Sequence, residues 1–442
     1  MLSPDSPIPD PCSYAAGLTL LHPTRGALPF ALYPYQRALL ECPSPQRLVV
    51  KARQVGVSQV IALEALHRAR FHPGAGCLFV SRNREAARHL QQLVYGLLPG
   101  DPGAEVERRS DDLLVLANGS TIRSLPAARN TGRTYTASAA YLDEFAHAQH
   151  AQAIYQGVAP TAGHGGTLTV VSTPHGKANL FYRLYYQALV GLNSFTIHRI
   201  HWSDCPLYNP EGFAEPDPDR RQQIGEQGEW FRANRGRFAD TEWAQEYECD
   251  FTHSAGLVYR EFDPEVHVVD YQPHPDWPTY AGQDFGYSSP AVCLLAQVSP
   301  SEHVFVFAEH YQAGRAITTL AEQVYAPLHA RHQAETWYCD PSEPGAIHAL
   351  REAGLPAVPA RPQVERGILQ VRKLLSPPGG APPRLYLSRS CPQLAADLVT
   401  YSYQEGSEKP EKTGADHGPD ALRYLVMGIL GGRAETEFIP WH

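Results

Sequence analysis

Two regions of this sequence place ionisable side chains where chemistry could use them. The first begins at Lys51, after the apolar run 47–50, and continues as Ala52-Arg53-Gln54-Val55-Gly56-Val57-Ser58-Gln59 into a helical pattern. Backbone N–H groups at a helix N-terminus bind phosphate, so a loop between strand and helix is where a nucleotide would sit. Against the phosphate-loop pattern G-x-x-x-x-G-K-[ST], Gly56 and Ser58 fit, Val57 stands in the lysine slot and Lys51 in the first glycine slot. An ammonium at the loop's start could still turn over the phosphates of ATP. Arg53 adds a second cation, and Ser58 a hydroxyl for Mg²⁺. Further on, the apolar strand 139–142 ends in Asp143 and Glu144. There the first carboxylate would hold the water shell of Mg²⁺, and the second would polarise the attacking water. A third apolar strand, 167–171, ends in Ser172-Thr173, hydroxyls placed to sense a γ-phosphate. Upstream, Gln36 offers an amide that can pair with both N6 and N7 of adenine.

The second region is dispersed. Asp284 lies in TYAGQDFGY (279–287), Asp340 ends TWYCD (336–340), and Asp416, His417 and Asp420 lie in GADHGPDAL (414–422). An acid at the centre of a strand is expensive to bury unless paired or metal-bound. Asp416 and Asp420, four apart, share a face if that turn is helical. Taken singly, each acid reads as a cap or turn residue. In the order strand, strand, late helix, they make an oxygen donor set suited to Mg²⁺, with Mn²⁺ as a substitute. His417 reads as an exposed residue at a helix start, unless the site has room for it.

These residues need scaffolds. From 34 to about 200, strands and helices alternate: strand 47–50, helix 57–70, strand 77–80, helix 85–98, a hairpin over 113–125 turning at Asn118-Gly119, then strands 139–142 and 167–171. That alternation predicts a mostly parallel sheet covered on both faces. Residues 203–256 break the pattern and read as a connection between domains. From 257 the order is a three-strand meander, a helix (317–331), a strand, a helix (344–353), short strands, and a last helix over 420–430. That is an RNase H-like order with a mixed sheet. The expected organisation is an N-terminal extension (1–30), an α/β phosphate-loop domain (31–202), the connection (203–256), an α/β nuclease-type domain (257–432) and a tail (433–442).

Length and composition agree. At ~100–200 residues per domain, 442 residues imply two or three domains. The formal charge of −9 excludes a uniformly basic coat, so any DNA path must be a local patch. The eight cysteines show no C-x-x-C pair and read as reduced, buried thiols. No run approaches the ~18–20 apolar residues of a membrane span.

Taken together, the two regions resemble a bacteriophage large terminase subunit over roughly residues 30–430. The loop 51–59 resembles the deviant Walker A of lambda-like terminases, whose lysine also stands at the loop's start. Leu142-Asp143-Glu144 is similar to that family's Walker B with its catalytic glutamate, Ser172-Thr173 to its coupling motif, and Tyr35-Gln36 to its adenine-contacting segment. Trp243-Ala244-Gln245-Glu246-Tyr247-Glu248-Cys249 is similar to a sequence at its domain junction. Asp284, Asp340 and Asp416 match its nuclease acids. The last acidic site departs from the family's His-Asp-Asp-x-x-Asp-Ala-Leu, with His417 in place of the second acid. In a thermophilic-phage subgroup an arginine acting in trans precedes the glutamate. Arg133 occupies that place, and Arg129 is its neighbour. The resemblance implies a P-loop ATPase fused to an RNase H-like endonuclease that uses ATP and Mg²⁺ or Mn²⁺. It also implies work on double-stranded DNA, with the small terminase subunit and the portal protein, as a homo-oligomeric ring in the host cytoplasm. A helicase–nuclease of repair or defence, and a non-catalytic phage assembly protein, stand as alternatives.

Overall fold

Short apolar runs form the centres of two sheets in the computed structural model, which describes residues 7–22, 26–131, 137–160, 165–251, 256–404, 407, 409–412 and 414–433. The chain divides into two units, 1–253 and 254–442. In the first, β1 (Thr19–His22) and β2 (Gly26–Pro29) pair as a small antiparallel ribbon. The main sheet has eight strands: β3 (Gln46–Lys51), β4 (Gly76–Ser81), β5 (Val106–Arg109), β6 (Leu113–Leu116), β7 (Thr121–Pro126), β8 (Ala139–Asp143), β9 (Thr167–Ser172) and β10 (Thr196–Ile200). Their order is β10-β3-β9-β8-β4-β7-β6-β5. From β10 to β7 all pairings are parallel, and β6 and β5 continue antiparallel. β6 and β7 are the hairpin expected at Asn118-Gly119. β8 is buried along its whole length, as a parallel strand covered on both faces must be. Because these strands are parallel, the C-terminal ends of β3, β9, β8 and β4 lie side by side. Ligands of open α/β sheets bind outside such ends.

Two stretches expected to be peripheral are built into this unit. Ahead of residue 30, the helix Pro11–Ala16 is capped by Asp10, and Tyr14 packs edge-on against Phe71 with its hydroxyl on Asp101. Tyr14, Leu18 and Phe30 are apolar bodies that find burial here. From the expected connection, Trp230 and Phe231 stack on Trp202, Tyr208 stacks on Trp230 at 4.0 Å, and Trp243 on Tyr247 at 4.5 Å. Trp202 and Trp243 are almost wholly buried, so residues up to 251 join the core of the first unit.

The second unit holds a seven-stranded mixed sheet: β11 (Val268–Val269), β12 (Thr279–Asp284), β13 (Ala291–Val298), β14 (Val304–Gln312), β15 (Thr336–Cys339), β16 (Ala357–Pro359) and β17 (Leu385–Ser388), in the order β11-β17-β14-β13-β12-β15-β16. β12, β13 and β14 form the antiparallel meander, and β15 and β16 add parallel beyond β12. This is the RNase H-like arrangement. β12 ends at Asp284 rather than running on to 287. The helices Val364–Leu375 and Pro392–Leu398 were not foreseen. The closing helix, His417–Arg433, lies against β12 at Gly282, where a Cβ would overlap the carbonyl oxygen of Ala421 and reach 2.7 Å from Leu425 Cβ. Glycine there lets the helix approach the strand that carries Asp284.

On β14, Glu309 accepts the N–H groups of Gln393 and Leu394, each at 2.8 Å. Burial pushes its carboxyl up to about 7; the two N–H bonds oppose the shift and nearby Asp397 adds to it. The folded chain therefore keeps a proton that an unfolded glutamate has already lost. The resulting stability is full below the ordinary glutamate value of 4.5 and is lost as the pH rises to about 7. It is worth about 3 kcal/mol at most. Glu309→Gln, which loses one acceptor, should melt lower overall but with a flatter change in Tm between pH 5 and pH 8. Equal slopes in variant and wild type would contradict this.

Candidate active sites

The loop after β3 is gripped from several sides. Ala52 N–H donates to the carbonyl of Ile200, and Arg53 N–H to that of Glu246. Tyr208 donates its hydroxyl to the Arg53 carbonyl, and Tyr35 donates to that of Val55 at 2.7 Å. Gln36 donates Nε2 to the Gly56 carbonyl at 3.3 Å and accepts from Tyr33 N–H, so its amide is engaged with the loop. Gln54 and Gly56 are left-handed, at φ 55° and 75°, and the helix Val57–Phe71 starts directly after. Val57 buries its side chain in the core, so only its backbone can face a phosphate. Ser58 is half-buried and lines the cavity, while Arg53 is exposed at its rim.

Lys51 is 5% exposed, and its Nζ lies 2.9 Å from Glu144 Oε1. Burial works against the ammonium, yet Glu144 and then Asp143 more than offset it, and the pKa rises. Burial likewise opposes the Glu144 carboxylate, but Lys51 holds its pKa below the ordinary value. Asp143 is pushed up to about 6, first by burial and then by Glu144. Its Oδ2 accepts from Ser81 at 3.3 Å, while its buried Oδ1 has no hydrogen-bond partner among the described residues. An unpartnered buried carboxylate oxygen in a cavity that Ser58 also lines fits a hard cation such as Mg²⁺. Glu144 sits in the left-handed region at φ 50°, a conformation that costs of order 1–3 kcal/mol and collects at functional sites. Ser172 accepts from Ala146 N–H at 3.1 Å, and Thr173 Oγ1 lies 3.2 Å from His147 Nε2. Burial, and then His175, push His147 down to about 4, so its ring is neutral near pH 7.

A cavity of about 260 Å³ joins these parts, lined among others by Arg53, Ser58, Asp143, Glu144 and Thr173. Arg82, His89, His147 and Glu246 also line it and were not foreseen. Arg82 follows the end of β4 as Glu144 follows β8, so the rule of strand C-terminal ends would have found it. Arg133 lies outside the described residues. Arg129 is described and exposed.

In the second unit, Asp284 ends β12 and Asp340 follows the neighbouring parallel strand β15, its N–H on the Gln283 carbonyl. His417 is not the exposed residue expected: its Nδ1 lies 2.8 Å from Asp284 Oδ2. The close fit of its helix at Gly282 brings it in. Asp284 is pushed up to about 6, first by burial; Asp420 and Asp340 add to this while His417 opposes it. Asp420 also accepts from Arg423 at 3.0 Å. Asp416 Oδ1 accepts the N–H of Gly414 at 2.9 Å, and Asp420 is the helix acid that adds to the rise of Asp284. By chemistry, crowded oxygen donors fit Mg²⁺ or Mn²⁺. In placement, only Asp284 and His417 touch, and among the described residues no three His, Cys, Asp or Glu side chains gather as a metal site.

The fold and these two sites define a phosphate-loop α/β unit joined to an RNase H-like unit. Among known proteins, the family model for the terminase large subunit, T4likevirus-type, N-terminal, matches residues 48–265. The crystal structure of the bacteriophage HK97 large terminase matches at 14% identity over 95% of this chain and 99% of that one, with a TM-score of 0.50. The large terminase of a thermophilic bacteriophage, solved with ADP, matches at 16% identity over 90% and 100%, TM-score 0.38. The nuclease domain of the P22 large terminase matches at 18% over 40% and 94%, TM-score 0.35. Among curated proteins no sequence matches. Over residues 48–265 the chain is similar to the terminase large subunit family, and the likeness to the HK97 large terminase shows the shared fold.

The buried ion pair makes a test of the first site. Lys51→Ala leaves two buried carboxylates facing each other and should cost ~3–5 kcal/mol in denaturation of the first unit. Adding Glu144→Ala should recover part of that loss, so the double variant falls short of the sum. Strictly additive losses would mean that Lys51 and Glu144 are not coupled.

Proposed function

We propose that this chain is an ATP-driven motor that threads double-stranded DNA into a phage capsid, and that its second unit cuts concatemeric DNA as a metal-dependent endonuclease. The observation that carries the reading is the pairing of buried Lys51 with Glu144, which lines the cavity at the strand ends. In this proposal Lys51 and Arg53 bind the phosphates of ATP, together with backbone N–H groups at Gly56, Val57 and Ser58. Phosphate oxygens compete with Glu144 for Lys51. Glu144, released from Lys51, is then free to polarise water. Asp143 and Ser58 would hold Mg²⁺, which neutralises charge on the phosphates when bound. Ser172 and Thr173, tied to Ala146 and His147, pass site occupancy to the sheet. Gln36 braces the loop beneath the adenine, and Arg133 serves a neighbouring subunit in trans.

In the second unit Asp284, Asp340, Asp416 and Asp420 would hold Mg²⁺ or Mn²⁺. When bound, such ions activate water and stabilise the leaving 3′-oxygen. The proposed partners are double-stranded DNA, the small terminase subunit, the portal protein and further copies of this chain in a ring, in the host cytoplasm. Among the described residues no helix is long and apolar enough to cross a membrane.

Two substitutions separate the activities. Glu144→Gln should still bind ATP but hydrolyse it at least ~100-fold more slowly, with plasmid nicking in Mn²⁺ retained. Asp284→Ala should hydrolyse ATP normally and fail to nick. Near-normal hydrolysis in the first variant, or wild-type nicking in the second, would move the corresponding site elsewhere.

A further inference from the structure

A buried polar network in the second unit reaches the turn that presents His417. On β14, Glu309 and Tyr311 are two residues apart, so their side chains leave the same face of the strand. Both grip the helix Pro392–Leu398. Glu309 takes the N–H groups of Gln393 and Leu394, and Tyr311 donates its hydroxyl to Asp397 Oδ2 at 3.1 Å. Gln393 Nε2 donates to Asp397 Oδ1 at 3.0 Å. Asp397 is 0% exposed. Burying a carboxylate is costly even when it is well hydrogen-bonded, and replacing such a group by apolar side chains is often neutral for stability. A role beyond stability would account for keeping it.

That role is suggested by what the pair touches. A Cβ built on Gly418 would overlap the Tyr311 hydroxyl and stand 2.8 Å from Asp397 Oδ2. The Gly418 backbone therefore rests directly on the Tyr311–Asp397 pair. The residue before it is His417, in contact with Asp284, and the same helix carries Asp420. A misplacement of about 1 Å in a catalytic constellation can cost ~100-fold in rate.

We propose that Tyr311 and Asp397 are positioning residues for the endonuclease: acting through Gly418, they set the helix start so that His417 meets Asp284. This rests on the endonuclease reading of the second unit. The direct contact with Gly418 supplies the mechanical link, and the grip of Glu309 on the helix Pro392–Leu398 keeps Asp397 from drifting away from it.

The test uses the full-length chain in three forms: Tyr311→Phe, Gly418→Ala and the two combined. Tyr311→Phe should hydrolyse ATP as wild type does but nick supercoiled plasmid about tenfold more slowly or worse, in kcat and with KM for DNA unchanged. Gly418→Ala should be slower, because its methyl group meets the Tyr311 hydroxyl. In the Tyr311→Phe background the hydroxyl is gone, so the same alanine should cost a smaller factor. A Tyr311→Phe variant that melts lower yet nicks at the wild-type kcat would reduce the network to plain support and overturn the proposal. So would an alanine that costs the same factor in both backgrounds. A readout without catalysis separates this from the parent reading: in histidine-labelled protein, the ring ¹⁵N shifts of His417 should move in Tyr311→Phe. Unmoved shifts sink the positioning role. Moved shifts, with a wild-type chain that never nicks DNA, keep the positioning role and sink the endonuclease.

Discussion

A lysine ammonium almost out of water survives only if negative charge stands close by. Lys51 meets that condition with Glu144 in contact and Asp143 next to it, and much of the first unit can be understood as the means of keeping them together. Lys51 ends β3, Asp143 ends β8 and Glu144 follows it, but β9 lies between those strands. At ~4.8 Å per strand the pair must span about 10 Å, close to the reach of an extended lysine and glutamate together. β9 ends in Ser172 and Thr173, whose small side chains leave that path open and whose hydroxyls bind the turn after Glu144. The strand order, the residue types at three strand ends and the left-handed turn at Glu144 serve one electrostatic contact.

The loop itself has little of its own to hold its shape. Two left-handed positions, Gln54 and Gly56, are maintained by bonds from outside, through Tyr35, Gln36, Tyr208 and the Glu246 carbonyl. The aromatic cluster of Trp202, Trp230, Trp243 and Tyr247 anchors the segment that supplies the last two. A stretch that looks like a spacer in sequence thus works as part of the support of this loop.

This marks the limit of what sequence reveals here. Lys51, Asp143-Glu144 and Ser172-Thr173 were legible because each ends an apolar run, and parallel strands must bring their ends together. Asp284 and Asp340 were legible for the same reason. The aromatic residues of 203–251 were not: their spacing follows neither a helical nor a strand period, and only tertiary burial gives them meaning. Whether Gln36 faces the loop or a base depends on a side-chain direction that no spacing encodes. His417 was misjudged because its exposure is decided by Gly282, far away in sequence. The helix Val364–Leu375 could have been found, since its buried Ile368, Val371, Leu374 and Leu375 follow a helical period.

The aromatic cluster has an optical side. The chain has six tryptophans, and three of them, Trp202, Trp230 and Trp243, cluster together, with Trp230 stacked on Tyr208, whose hydroxyl rests on the loop carbonyls of Arg53 and Gln54. Indole emission responds to the polarity and packing around the ring. Any rearrangement of the loop that shifts Tyr208 alters the surroundings of half the chain's tryptophans at once. The protein therefore carries a built-in fluorophore for the state of its phosphate loop, readable in unlabelled material.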